Sequence, residues 1–563
     1  MADVQVPTIA IGTPAVGDSV LGVVSGAVRR LTSVTPMIGN IAVIEDYAGA
    51  TTLIKMQAAL NSGRPIVRGT KGASYDLNGG TLVIKSNTTL DLTGCTITTP
   101  STTNPMVKNE NALIAGRDSN IAIIGGDWTA GAVDGNTHRF LFNKVDGLVV
   151  TPRSITSTSG KYAVSLSDVT LFEVGNIIVA SASDGVHVTG PASNGWIHDI
   201  SGNSHDDFVA LGCADYAAYD YSKGTIDGVV VERIRPVQSG SVSGVSGVNL
   251  FINPNSGNVT SPGDMKNITV RDVSGTVSGA GVSLFDAFAL GGIFDNILVD
   301  GVSVTNLNAG YAQARLYYTG SFSGTKYGRI TFRNIAPASA MASVVHYGVQ
   351  VDTTANARTL NLTVDGLKLE DAAGASMQGV RVTGGPVDAL VVRNPHGSLV
   401  NASTRTISVS GAATVKQLAV KDCALTGSTL LYVGDTSAVN FLDVSGLHDT
   451  PANGAAITHT ASTLLVANFA GFRLITGDFV SIQNASASME FTGIAENTAG
   501  NGLFKTAAQN VYCRSFGIRL AVDRITKRDG DMAYNLNAGL ACGKGPVYCN
   551  GTVWTHVTSG ATY

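Results

Sequence analysis

A short phrase recurs along most of this chain: polar, Asn or Asp, apolar, x, apolar, x, Asp or Asn, apolar. It reads SNIAIIGG from Ser119, DGLVVT from Asp146, DGVVVERI from Asp227 and KNITVRDV from Lys266. Further copies are DNILVDGVSV from Asp295, GRITFRNI from Gly328, LNLTVDGLKL from Leu360 and KQLAVKDC from Lys416. The equivalent apolar residues Ile268, Ile297, Ile330 and Leu362 stand 29, 33 and 32 residues apart. A period of this length without a helix in each unit marks a solenoid of strands. One unit cannot bury its apolar stripe alone, so units stack and bury it along a common axis. Alternation within each phrase sends every second side chain inward and the rest to the outer wall.

Composition agrees. Only 14% of the 563 residues are charged, against about a quarter in an average soluble domain, which leaves few residues for salt-bridged long helices. The 66 glycines suit corners that need positive φ. With 44% apolar residues and a net charge of −4, the chain is not a disordered polyampholyte. It has no apolar run long enough for a membrane helix and no basic footprint for nucleic acid. A sandwich needs hairpin turns at short regular spacing and a propeller needs blade signatures; neither is present. The expected fold is all-β, a right-handed single-stranded parallel β-helix over residues 39–450. A helix at 50–61, capped by Thr51 or Thr52 with Leu53, Met56, Ala59 and Leu60 on one face, would cover the first coil's unpaired edge.

Residues 1–38 read as short strands or an extended arm. After residue 450 the pattern fades into a β-rich region, 451–522, followed by a closing segment, 523–563. Cys95, Cys213, Cys423 and Cys513 stand singly in apolar stretches, as buried thiols do. Cys542 and Cys549 bracket a six-residue stretch and are spaced to close a small loop. No paired CxxC elements suggest zinc, and no phosphate loop or nucleophile elbow appears, so neither metal nor cofactor is expected.

Residues 181–213 differ from the rest. They hold His187, His198 and His205, three of the nine histidines, with Asp184, Asp199, Asp206 and Asp207. The phrases from Asp184 and Asp207 superpose 23 residues apart, about one short coil. That offset puts Asp184 and Asp207 at one station on adjacent coils, about 4.8 Å apart, with Asp206 beside them. Val186, Val188, Val209 and Leu211 then point inward and His187 faces out beside Ala210. Carboxyls this close cannot all ionise freely, so one should be held protonated. A protonated and an ionised carboxyl are what glycosidic-bond hydrolysis requires. His198 and Asp199, by contrast, read as an ordinary rung. Trp128, His138, Arg139 and Trp196 are candidate sugar subsites, as are Tyr216, Tyr219 and Tyr221 in the following loop. Arg233 and Arg235 are candidates for an acidic sugar. Tyr317, Tyr318, Lys326 and Tyr327 suggest a second aromatic groove.

On these patterns the chain resembles the pectate-lyase-like β-helix superfamily. The window also resembles the polygalacturonase family, in which Asn-Thr-Asp-Gly precedes Asp-Asp-x-hydrophobic-Ala-hydrophobic by one coil. The resemblance implies Asp206 as general acid, with Asp184 and Asp207 serving the water. No Gly-His-Gly follows, and Val248-Asn249-Leu250-Phe251 replaces the family's basic station, so pectin is not the expected substrate. The closing segment is similar to modules that end phage tail fibres and tailspikes, through Gly530, Met532, Tyr534, Asn535, Asn550, Gly551 and Trp554.

A glycan-active β-helix works outside cells, yet this N-terminus has no basic start, apolar core and cleavage site. A virion protein released by lysis reconciles the two. The expectation is a bacteriophage tailspike that depolymerises a bacterial surface polysaccharide. By resemblance it is a homotrimer, joined to tail or baseplate proteins through its N-terminus, with no membrane insertion and no nucleic-acid partner. Two rivals stand beside it: a polysaccharide lyase, with His187 or His205 as base, and a non-catalytic receptor-binding spike.

Overall fold

The computed structural model describes residues 40–470, apart from loop segments such as 132–136, 217–220, 239–243, 255–260 and 338–344. Outside that span it describes the backbone of individual strands. Two units are distinguished: residues 1–182 with 193–197, and residues 183–192 with 198–563.

In the second unit the repeated phrase is the stacking register. Ile268 pairs with Ile297, then Ile330, Leu362, Leu390, Leu418 and Leu442 on successive parallel strands. Each is at most 2% exposed. Burying one such side chain contributes about 1.5–3 kcal/mol, so a single column supplies much of the drive for stacking. A second parallel sheet runs Val186, Val209, Val248, Val282, Ala314, Val349 and Val380 at one inward station. A third joins Lys368–Glu370, His396–Ser398 and Ala424–Thr426. Strands that pair only with their counterparts one coil away, on several faces, make this a parallel β-helix.

The corners account for the Asn and Gly content. Asn267 and Asn296 sit at φ +55°, a region Asn tolerates better than most residues. Asn296 Nδ2 donates to Asn267 Oδ1 at 2.6 Å, and Asn267 Nδ2 donates to Asp227 Oδ1 at 2.7 Å. Gly397 lies at φ +134°, where an added Cβ would come within 1.9 Å of the Leu369 carbonyl oxygen. Only glycine fits there.

The first unit stacks in the same way, from Ile41–Val43 onto Ile66–Arg68 and Thr88–Asp91, and onward to Val164–Ser181. Its helix is Thr52–Leu60, with the Thr51 hydroxyl accepting from Ile54 N and with Met56, Ala59 and Leu60 buried. Gln57 lies beside the strand Leu82–Ile84. Its Oε1 accepts from Val83 N at 2.9 Å and its Nε2 donates to Val83 O at 3.1 Å. The side-chain amide takes the place of a neighbouring strand.

Parallel pairing continues across residue 450, through Ala455–His459 and Leu464–Leu474 to Asn510–Cys513. The closing segment is different: Met532–Asn535, Gly545–Cys549 and Trp554–His556 pair antiparallel. Val20–Val24 and Ala27–Leu31 also pair antiparallel. Cys542 lies outside the described residues. Among the described residues, no helix is long and apolar enough to cross a membrane.

Candidate active site

The register Val186 to Val209 and His187 to Ala210 gives Asp184 and Asp207 equivalent places, each two residues before the paired valine. The next strand aligns Val248 with Val209 and Asn249 with Ala210. Val186, Val188, Val209 and Leu211 are fully buried, as their alternation demands. Each strand therefore begins on the same inner anchor, and the carboxyls gather at one corner of the stack.

His187 faces away from the core, as expected, but it is not open to solvent: it is 2% exposed. Its Nδ1 donates to Asp184 Oδ2 at 2.6 Å, and its Nε2 lies 3.3 Å from Asp215 Oδ2. The Phe251 ring packs over it, centroid to centroid 5.7 Å. Asp184 and Asp215 are themselves buried. The imidazole is thus clamped between two carboxyls and an aromatic wall, which fixes its orientation.

Asp207 is half-buried. Its Oδ1 accepts from Ser246 N at 3.1 Å and its Oδ2 from Asn249 Nδ2 at 2.6 Å. Burial, followed by the nearby charges of Asp206 and Asp184, pushes its carboxyl up to about 8, against those two hydrogen bonds. Asp206 is exposed and accepts from Asp207 N at 3.1 Å. His205 is exposed too. The raised carboxyl is therefore not the one that the polygalacturonase resemblance makes the acid.

Several expected sugar subsites belong elsewhere. Trp128 is fully buried in the first unit, edge-on to Phe140 at 4.8 Å, with Nε1 donating to Gly125 O. It aligns with Ile97 and Ile155 on its neighbouring strands, so it is a core residue and not a platform. His138 and Arg139 are also buried, at 2% and 1% exposure. Trp196 is half-buried. Arg233 is held by Asp199 and Glu232, and Arg271 also pairs with Glu232. That ladder, extended by His198 to Asp199 at 2.7 Å, occupies the guanidinium that was expected to meet a sugar. Arg235 donates to Asp272 O. Tyr318, Lys326 and Tyr327 are core residues, with Lys326 Nζ 2.9 Å from Asp286 Oδ2. Tyr216 and Tyr221 remain exposed, and Tyr219 lies outside the described residues.

Asp215 and Asn249 are the residues that sequence reasoning missed. Asn249 had a signal, since Val248-Asn249-Leu250 repeats the pattern of Val186-His187-Val188 in the same column, two coils on. Asp215 lies beyond the end of its strand, Val209–Gly212, where periodicity no longer reports direction.

No protein-family model matches the sequence, and no curated protein does. Among solved structures, the chain is similar to a tailspike protein variant of E. coli bacteriophage HK620 in complex with a pentasaccharide. The identity is 12%, the TM-score 0.41, and the match covers 84% of this chain and 81% of that one. It is also similar to the family 28 exopolygalacturonase of Yersinia enterocolitica, at 10% identity and TM-score 0.29, covering 87% and 80%. A third is PfbA, a surface adhesin of Streptococcus pneumoniae, at 10% identity and TM-score 0.29, covering 93% and 98%.

Proposed function

We propose that the chain binds a polysaccharide along its β-helix and cleaves it by hydrolysis at the Asp184–Asp207 corner. The observation that carries this reading is the placement of Asp207 one coil from the buried carboxyl of Asp184, which His187 orients; its surroundings push the Asp207 carboxyl up to about 8. At neutral pH a carboxyl held so high is a proton donor. In this reading Asp207 protonates the departing glycosidic oxygen, and the C–O bond breaks as positive charge develops on the sugar ring. Asp184, aligned by His187, takes a proton from the attacking water, whose oxygen bonds to the ring carbon. Asp206 keeps the field negative beside Asp207, and Asp215 holds the far side of the imidazole.

The wider assignment, a homotrimeric tailspike acting on a bacterial capsule, exopolysaccharide or O-antigen, rests on the closing-segment resemblance. Light scattering on the full chain tests the trimer. The central experiment incubates purified capsules with wild type, Asp207→Asn and Asp184→Asn, and follows polymer length and product ends. Wild type should shorten the polymer and release reducing ends without unsaturated uronate, and both variants should lose at least about a hundredfold in rate. Unsaturated ends would point to a lyase. Unchanged polymer length with tight binding would point to a receptor-binding spike. Near-normal cleavage by Asp207→Asn would remove the site from consideration.

A further inference from the structure

The outward station that carries His187 and Ala210 continues through Asn249, Ser283, Arg315, Gln350 and Arg381. Two arginines on this column contrast with those of the adjacent sheet. There Arg271, Arg329, Arg333 and Arg358 hold Glu232, Asp295, Asp300 and Asp388. Among the described residues, Arg315, Arg381 and the neighbouring Arg405 have no carboxylate partner. Each instead lies on tyrosine: Arg315 over Tyr317 at 4.9 Å and Tyr311 at 5.4 Å, Arg381 over Tyr347 at 4.9 Å, and Arg405 over Tyr432 at 3.4 Å.

These contacts fix direction as well as place. Arg315 Nε donates to Ser283 Oγ at 3.0 Å, so its guanidinium leans one rung back, toward Asn249 and the acidic corner. Arg381 Nη1 donates to the Tyr347 hydroxyl at 2.7 Å. Tyr317 stacks on Phe285, centroids 5.5 Å apart, which extends an aromatic surface beside the arginines. The acid on this column's edge, Asp352, is engaged by Thr383 Oγ1 at 3.1 Å and by Gln350. Among the described residues Asn249 Oδ1 has no hydrogen-bond donor, and Asn249 stands between Asp207 and Ser283.

We infer that this strip is a binding track for an acidic polysaccharide, whose sugar carboxylates pair with Arg315 and Arg381 while ring faces lie against Tyr311 and Tyr317; Tyr347, 8% exposed, backs Arg381 from within. The inference rests on the hydrolase reading for its orientation and names that site's substrate class. Asn249 to Arg315 is two rungs, about 10 Å, and Arg315 to Arg381 is another two, a step comparable to an extended disaccharide. A planar guanidinium already stacked on a ring presents its donor fork to a planar carboxylate at little cost in ordering.

The test measures binding without cleavage, in the Asp207→Asn background, to alginate and uronate-bearing bacterial capsules and to their carboxyl-reduced forms. The expected result is salt-sensitive binding of the acidic polymers and weak binding of the reduced ones. Arg315→Gln and Arg381→Gln should each weaken acidic-polymer binding about tenfold, equivalent to about 1.4 kcal/mol, and Arg315→Lys should lose less. Thermal unfolding of each variant checks that the fold is intact, and the carboxyl-reduced polymers report any general loss of binding. Equal affinity for acidic and reduced polymers, no retention of any acidic polymer, or wild-type affinity in the Arg315→Gln/Arg381→Gln double variant would each overturn the track. If Asp207→Asn still shortens polymer, the catalytic reading fails while the binding comparison still decides this one.

Discussion

Asn249 donates its side-chain amide to Asp207 Oδ2 at 2.6 Å from one rung further along the stack. The bond favours the ionised carboxyl and so works against the burial that raises it. Asn249→Ala should therefore lift the Asp207 pKa further above about 8, moving the alkaline limb of the pH–rate profile upward. A profile of kcat/KM across pH 5–10 reads this directly, and a downward move would mean that the bond does not act on the ionised form.

In the proposed reaction Asp207 also couples activity to stability. Its folded pKa lies above the unfolded value, so the folded state holds more protons between about pH 4 and about pH 8. Stability from this group therefore falls as pH rises through that window. Asp207→Asn removes the penalty and should raise the melting temperature at pH 8, with the gain shrinking toward pH 5 where both side chains are neutral. Calorimetry at the two pH values checks the sign.

In the proposed reaction Asp215 acts through His187, whose Nε2 lies 3.3 Å away. Asp215→Asn should lower kcat by about tenfold or more while leaving KM little changed, as expected for a positioning residue. Steady-state kinetics on a defined polymer separate the two constants. A change confined to KM would instead assign Asp215 to substrate binding.

Gln57 closes the edge of the first coils by bonding both polar groups of Val83. Gln57→Leu leaves that N–H and C=O without their protein partner and should cost about 1–3 kcal/mol. Denaturant unfolding measures the loss. The same variant should also associate more readily, since an uncovered strand edge is a template for another chain.

The repeating register is legible in the sequence because one inward position is apolar in every coil. Ile268, Ile297, Ile330 and Leu362 align in the fold as their spacing predicts. The Asp184–Asp207 relation is legible for the same reason, since the 23-residue offset is a whole coil. Trp128 is not, because an aromatic beside Asp127 and Thr129 reads as surface until its alignment with Ile97 and Ile155 is known. The partners of Asp207 are also hidden. Ser246 and Asn249 lie 39 and 42 residues further on, across a coil lengthened by a loop, so no fixed period leads to them. The arginines show the same limit, because composition cannot reveal which of them already hold a carboxylate.

The outward column from His187 to Arg381 advances by one strand spacing per coil, about 4.8 Å, on an inner register that stays constant. The molecule is thus graduated like a ruler, with the acidic corner as its zero and every outer side chain at a countable mark. Removing or inserting one complete coil between Asn249 and Arg315 would shift the gauge by one mark while leaving the chemistry of the corner intact.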